Sequence, residues 1–463
     1  MTSDAPRPRS PRGPRITRVD DAGKPARALN GPREVALEVL RALDEREAFL
    51  QPALEAASAR AQLDARDRGL AHELVSGVTR FQTRLDHALV PKLSRGLEAT
   101  DPALLRILRL GVYQLFFLTR VPDHAVLHQA NDQARQIGQD PAARFVNGVL
   151  RAVQREGEHL PEGQSAHALS VRHGHPEWLV TRWLEELGPE QAEALLRANN
   201  LPAPLTVRIH GDPTTATAAV EAEGGRLTPT RLVPGAYHLD HPSPFQSPSF
   251  AQSLWRAQDD AAQLVALLAA PRQGDRVWDV CAAPGGKSRH LADLLGGTGS
   301  LLSTDTHKGK VERLRETLAD APGIAVRLHD ATRPLEGERF DVVVLDAPCS
   351  GLGTLRRHPE VRWRRDPAAI LALAELQRKM LDAVAGAVSP GGVLIYSVCT
   401  PTREEGPDQV AAFLARHPAF TLEAPTSPHV DLAPMTEAPG FIHTWPHAHG
   451  MDAFFAARLR RAA

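Results

Sequence analysis

Along residues 30–156 apolar side chains recur every three to four positions. Val35, Leu37, Val39, Leu40 and Leu43 form one such stripe, and Leu70, Leu74, Val75 and Val78 form another. That is the repeat of an amphipathic helix. Few strand-like runs interrupt it, so the stretch predicts an all-α domain. Its most apolar run, LLRILRLGVYQLFFL at 104–118, contains Arg106 and Arg109. It falls short of the ~20 residues a bilayer requires and predicts a buried helix. Between 157 and 250 the pattern weakens. Helices are expected over 176–187 and 189–199, a short strand at LTVRI (205–209), and a helix near 214–223, before an end rich in Pro and His at 235–249. This region reads either as a small α+β module or as a linker with some structure. From 251 to 463 strand-like runs alternate with helical ones. The strand-like runs are RVWDV (276–280), SLLSTD (300–305), AVRLHD (325–330), FDVVVLD (340–346) and GVLIYSV (392–398), with helices at 310–318 and 370–388 among those between them. Alternation of this kind predicts a doubly wound, mostly parallel sheet.

Composition narrows the class. With 463 residues, 42% hydrophobic and 24% charged, the chain is an ordinary multidomain globular protein, and disorder along its whole length is excluded. Three cysteines, Cys281, Cys349 and Cys399, exclude a disulfide scaffold and fit a reducing, cytoplasmic setting. The net charge of −1 gives no global sign of a nucleic-acid partner. Only six of the 54 basic residues are lysines. The excess of arginine reflects either a coding bias or a need for planar, phosphate-matching forks. Residues 1–29 alternate Arg and Pro and lack the apolar core of a signal peptide. They read as a disordered basic tail, which either touches RNA phosphates or is merely solvated.

Candidate chemistry gathers at the ends of the predicted strands. Asp279-Val-Cys-Ala-Ala-Pro-Gly-Gly-Lys-Ser288 follows one strand and opens a helix. Its spacing is not that of a phosphate-binding P-loop. Glycines there let a ligand approach backbone N–H groups at a helix N-terminus, although such a turn is also found with a purely structural role. Asp305, Asp330 and Asp346 end the next three runs. Each alone suits a cap or turn; three in succession beside a Gly-rich turn favour a cofactor containing a nucleoside. Asp346-Ala-Pro-Cys-Ser-Gly351 sets Cys349 just beyond one strand, and Cys399 ends the next. Adjacent strands would bring both thiols to one cleft, where a thiolate is a nucleophile. Between them, residues 355–365 (LRRHPEVRWRR) interleave five arginines with His358 and Trp363. This stretch reads either as a clamp for phosphates and bases, with Arg356, Arg357, His358, Arg362 and Trp363 as contacts, or as a plain solvated loop.

DVCAAPGGKS, DAPCSG and YSVCT, in this order and spacing, resemble the RNA 5-methylcytosine methyltransferases of the Sun family over roughly residues 200–463. Residues 30–156 resemble the NusB-like RNA-binding domain through DRGLAHELVSGVTR (67–80), LRLGVYQLFFL (108–118), VPDHAVLHQA (121–130) and FVNGVLR (145–151). Together the two halves resemble the RsmB (Sun/Fmu) family of small-subunit ribosomal RNA cytosine-C5 methyltransferases. The resemblance implies a NusB-like all-α domain at 30–156, a linker and small α+β module at 157–250, and a Rossmann-like S-adenosylmethionine-dependent methyltransferase domain at 251–463. It implies that Cys281, Ala282, Ala283, Pro284, Gly285, Gly286 and Lys287 form the cofactor loop. Asp305 is then the ribose acid, Asp330 lies near the adenine, and Asp346 is the acid of the DAPC motif. Cys399 is the nucleophile that attacks C6 of cytosine, and Cys349 assists product release. HGMDAFFAARL (449–459) is the closing strand. Ala453 replaces a usual Gly and Val398 a common Thr, changes that bear on packing alone. The partner so implied is 16S rRNA, bound by a monomer, with no metal. The same chemistry on transfer RNA and a non-catalytic RNA-binding factor are the alternatives.

Overall fold

The computed structural model describes residues 31–46, 48–319, 321 and 323–463; the basic tail expected at 1–29 lies outside them. Six helices come first: Pro32–Arg46, Leu50–Arg60, Ala65–Arg80, Gln82–Leu89, Pro102–Phe117 and Asp123–Glu156. Their stripes meet in one core that includes Val35, Leu74, Leu85, Leu108 and Val146. Local signals start them. Asp64 accepts from the Asp67 N–H, and Asp101 accepts from the Ala103 and Leu104 N–H groups ahead of Pro102, which satisfies donors that a helix start leaves free. The apolar run expected to be a buried helix is one. Its two arginines are neutralised within the bundle, Arg106 by Asp44 at 3.0 Å and Arg109 by Asp86 at 2.7 Å.

Helices Ala166–His173 and Glu177–Ala198 lead on, the second turning at Gly188 (φ 76°), where the sequence predicts a break. A four-stranded antiparallel sheet follows, in the order β2-β3-β1-β4: β1 Thr206–Ile209, β2 Arg226–Pro229, β3 Ala236–Asp240 and β4 Trp255–Ala257. Helix Pro213–Ala222 packs on it. Of these strands the sequence pattern shows β1 alone. β2 exposes every residue but Leu227, so it carries no apolar alternation to read.

The remaining strands are β5 Arg276–Asp279, β6 Ser300–Asp305, β7 Ile324–Leu328, β8 Phe340–Asp346, β9 Val388–Val398, β10 Phe420–Glu423, β11 Thr436–Glu437, β12 Phe441–Thr444 and β13 Phe454–Arg461. They make one sheet ordered β11-β12-β13-β9-β8-β5-β6-β7, with β10 also on β13. β5 to β9 are parallel, while β10 to β13 are antiparallel additions at one side. β8 is apolar on both faces because both are covered. Val342 and Val344 pack with Leu264 and Leu268 on one side, and Val343 and Leu345 with Leu381 and Val384 on the other. The chain runs outward through β5, β6 and β7, then returns to place β8 on the other flank of β5. The order reverses between β5 and β8, the point where open α/β sheets bind ligands.

Segment 355–365 departs from its expected role. It does not form a clamp on the surface; it is the junction of the whole chain. Arg362 is fully buried. Its Nη1 donates to the Arg80 carbonyl at 3.2 Å, the Gly174 carbonyl at 2.9 Å and Asn200 Oδ1 at 3.1 Å. Burial and the neighbouring Arg80 guanidinium pull its pKa down to about 9. Arg356 donates to the Gly450 carbonyl, and its own carbonyl accepts from Arg80. Arg357 bridges Asp259 and Asp452. Trp363 Nε1 donates to the Thr79 carbonyl at 2.7 Å. Arg356, Arg357, Arg362 and Trp363 thus make hydrogen bonds inside the protein, Arg362 and Trp363 to the helical bundle and Arg356 and Arg357 to the middle module and the segment before the last strand. His358 keeps a half-exposed ring, edge-on to Phe49 at 6.1 Å.

Arg362→Ala removes the donor to the buried Gly174 carbonyl and the part-buried Arg80 carbonyl and leaves a cavity, a change that costs about 2–4 kcal/mol. The expected outcome is a clearly lower melting temperature and faster proteolysis around residues 157–165. An unchanged melting temperature and cleavage rate would show that the junction lies elsewhere.

Candidate active site

The turn after β5 is shaped by its backbone. Val280 N donates to the Val344 carbonyl and Ala282 N to the Thr304 carbonyl, which ties the turn to both neighbouring strands. The Ala283–Pro284 peptide is cis and Gly285 sits at φ 109°. A Cβ at Gly285 would be strained and would lie 3.0 Å from both Leu314 and Thr317. Helix Gly286–Leu295 starts directly after it, so its free N–H groups face the strand ends.

Asp279 is fully buried beneath this turn and accepts from Ser288 Oγ at 2.6 Å. Its Oδ1 has no hydrogen-bond partner among the described residues, and neither has Gln258 Nε2, whose amide faces Gly286. Burial pushes the Asp279 carboxyl up to about 6. Asp305 ends β6 as expected, is nearly buried, and accepts from the His307 N–H. Asp330 does not end a strand. It lies two residues beyond β7, half-exposed, and forms a turn by accepting from Thr332 N and Oγ1 at 3.0 and 2.7 Å. Two orphaned buried polar atoms, a glycine turn and two carboxylates at one sheet edge fit a ligand with a nucleoside and a positive charge. Burial, then the charges of Asp279, Asp305 and Asp346, push the Cys281 thiol up, so it stays protonated.

The loops after β8 and β9 meet. Asp346 pairs with Ser397 across the two strands, and Ser397 Oγ donates to Asp346 Oδ1 at 3.0 Å. Lys287 Nζ lies 2.6 Å from Asp346 Oδ2 and 5.7 Å from the centre of the Phe454 ring. Burial opposes the lysine's charge, but Asp346 outweighs it and the Lys287 pKa rises. Cys349 and Cys399 stand with their sulfurs 3.2 Å apart. Contact with Cys399, then burial, hold the Cys349 thiol well above its ordinary range. Gly353 lets the loops touch: its N–H donates to the Cys399 carbonyl and its carbonyl accepts from Ala453 N.

One part of this arrangement is missing from the motifs. Glu405, fully buried, accepts from Ser350 N at 2.7 Å, Gln377 Nε2 at 3.0 Å and Thr402 Oγ1 at 2.8 Å. Tyr396 OH donates to its carbonyl at 2.6 Å. It joins both cysteine loops to helix Pro367–Ala385. Two signals pointed to it. Gln377 interrupts the apolar stripe Ile370, Ala374, Leu381 and Val384, and Thr402 precedes Glu405 by three residues, the spacing of a Thr–Glu capping pair. Arg365 Nε, donating to the Ser350 carbonyl at 2.9 Å, ties the same loop to the junction segment.

The chain matches the family model described as 16S rRNA methyltransferase RsmB/F over residues 266–460. It matches the NusB family over 30–155 and the ferredoxin-like domain of RsmF/B-like methyltransferases over 175–246. It is 34% identical to ribosomal RNA small subunit methyltransferase B of Pseudomonas putida, over 93% of this chain and 99% of that one. It is 35% identical to the protein of the same name from Vibrio cholerae, over 87% and 92%. Among solved structures, PH0851 superposes with a TM-score of 0.80 at 25% identity, covering 95% of this chain and all of that one. NSun6 from Pyrococcus horikoshii shares the fold, with a TM-score of 0.56 at 19% identity over 62% of this chain and 98% of that one.

Two substitutions probe the geometry. A Cβ at residue 353 would lie 1.8 Å from the Ala453 carbonyl oxygen and 2.8 Å from that of Cys399. Gly353→Ala is therefore expected to separate the cysteine loops and lower the melting temperature; a folded variant with unchanged thiol reactivity contradicts this. The second concerns pH. The folded state holds the Asp279 proton up to about pH 6, whereas an ordinary carboxyl loses it near 4. Its contribution is intact below pH 4 and is lost as pH rises through 6, by up to about 3 kcal/mol. Asp279→Asn escapes that loss, so its melting temperature relative to the parent climbs between pH 4 and 6.5 and is flat above. A constant difference across this range overturns the assignment.

Proposed function

The chain belongs to the 16S rRNA methyltransferase RsmB/F family, and from that premise we propose that it methylates C5 of a cytosine in small-subunit ribosomal RNA, through a covalent bond from Cys399 to C6 and with S-adenosylmethionine as donor. The observation that carries this reading is the pair of thiols 3.2 Å apart at the ends of β8 and β9, beside the Lys287–Asp346 ion pair and the glycine turn. Residues 1–29 are then a basic tail, 30–156 the NusB-like domain, 157–250 the linking module and 251–463 the catalytic domain. No helix among the described residues is long and apolar enough to cross a membrane.

The loop from Cys281 to Lys287, with Asp305 and Asp330, holds the cofactor, which supplies an electrophilic methyl group when bound. Cytosine C5 is a poor nucleophile. Addition of the Cys399 thiolate to C6 pushes electrons to C5 and makes it enamine-like. Asp346, paired with Lys287, hydrogen-bonds to the ring near N3, where a proton shared between carboxyl and ring offsets the charge that shifts there. Once C5 carries the methyl group, its proton passes to solvent, the C6–S bond breaks and Cys399 leaves as thiolate. Cys349, a protonated neighbour within contact, donates to that departing sulfur. The target base must leave its stack to reach this cleft.

Cys399→Ala is expected to abolish methyl transfer and RNA adduct alike, by roughly a thousandfold or more, whereas Cys349→Ala accumulates covalent RNA. Gel mobility and transfer of labelled methyl to small-subunit rRNA, naked and assembled, report both. The opposite pattern reverses the roles, transfer to tRNA alone moves the substrate, and no cofactor binding leaves an RNA-binding factor.

A further inference from the structure

The two thiols have similar intrinsic chemistry and lie in contact, so something around them must decide which one is the nucleophile. The charges around the pair are not symmetrical. Glu405 lies on the Cys349 side: its Oε1 accepts from the N–H of Ser350, the residue next to Cys349. Asp346 also faces Cys349, and so do the Tyr396 phenol and Cys399. The guanidinium bonded to this loop, Arg365, is held on the Ser350 carbonyl at 2.9 Å, while Glu405 takes the Ser350 N–H. Cys399 lies instead within the field of Lys287, the ammonium paired with Asp346. A thiolate at Cys349 would be a second buried anion behind Glu405; a thiolate at Cys399 faces a cation and accepts from the Cys349 S–H. Burial strengthens both effects, because neither carboxylate nor ammonium is diluted by water.

We propose that Glu405 is the positioning residue that keeps Cys349 a thiol and so makes Cys399 the nucleophile. It acts in two ways. Its three accepted hydrogen bonds fix the loop after β8 against the loop after β9, and its negative charge bars a second anion beside it. The proposal rests on the reading of Cys349 and Cys399 as the reacting pair, but its test needs neither RNA nor cofactor, so the two fail separately.

The test is alkylation of the full-length protein by iodoacetamide between pH 6.5 and 10, with each cysteine followed by peptide mass spectrometry. In the parent, Cys399 is modified at least tenfold faster than Cys349. Glu405→Gln keeps an oxygen for Ser350 and Gln377 and an amide that donates to Thr402, but removes the charge. It is expected to raise the Cys349 rate at pH 8 at least fivefold and to move its pH midpoint down. Glu405→Ala, which also loses the hydrogen bonds, separates scaffold from charge: a purely structural role predicts that Gln behaves as the parent and only Ala differs. Single Cys349→Ser and Cys399→Ser proteins, each alkylated alone, give the same comparison should the Glu405 variants not fold. There, Cys349 modified as fast as Cys399 overturns the proposal, as does a Glu405→Gln protein whose two rates match the parent's.

Discussion

The chemistry of this protein hangs on one register, that between β8 and β9. Asp346 stands opposite Ser397, and because the strands are parallel their carboxyl ends open at the same edge. The next residues on each side begin loops side by side, which is why positions 50 apart in sequence can bring two sulfurs into contact. A slip of one residue would turn the Ser397 side chain to the other face, break its bond to Asp346 and carry Cys399 away from Cys349. The register shift in this pair lies at the far end, between Phe340 and Val342, where the irregular start of β9 is absorbed away from the site.

The site is then fixed from outside by the junction segment. Residues 355–365 begin four positions after Gly351 and thread between the helical bundle, the middle module and the closing strands. Arginine suits this place. A planar fork with several donors satisfies backbone carbonyls from different elements at once, as Arg362 does for Arg80 and Gly174. The same use recurs: Arg357 between Asp259 and Asp452, Arg208 on Asp293, and Arg458 and Arg460 on Glu423. These forks find their anions and carbonyls inside the protein. The helical domain is thus bound, through residues 355–365, to the loop that carries Cys349.

Local sequence determined a great deal. Strands read from apolar runs, helix starts from Asp and Pro, and the two cysteine motifs from their place at strand ends; each depends on neighbours a few residues away. Three things were not legible, and a fourth, Glu405, was only partly so. β2 is exposed and polar, so its pairing with β3 leaves no alternation. Asp330 closes a strand-like run, but β7 stops at Leu328 and the Asp makes a turn. The arginines of 355–365 look like a surface clamp because their composition is that of one. Whether a guanidinium meets phosphate or a buried carbonyl is decided by what docks on it, and Arg362's partners are 282, 188 and 162 positions distant. Glu405 is of the same kind, a carboxylate whose role exists only once two loops and a helix converge. Which groups stand at the edge of the sheet thus follows from local pattern, Asp330 excepted. The tertiary structure alone decided which of them are free to react and which are held inside, because burial and partner distance belong to the packed chain and not to any segment of it.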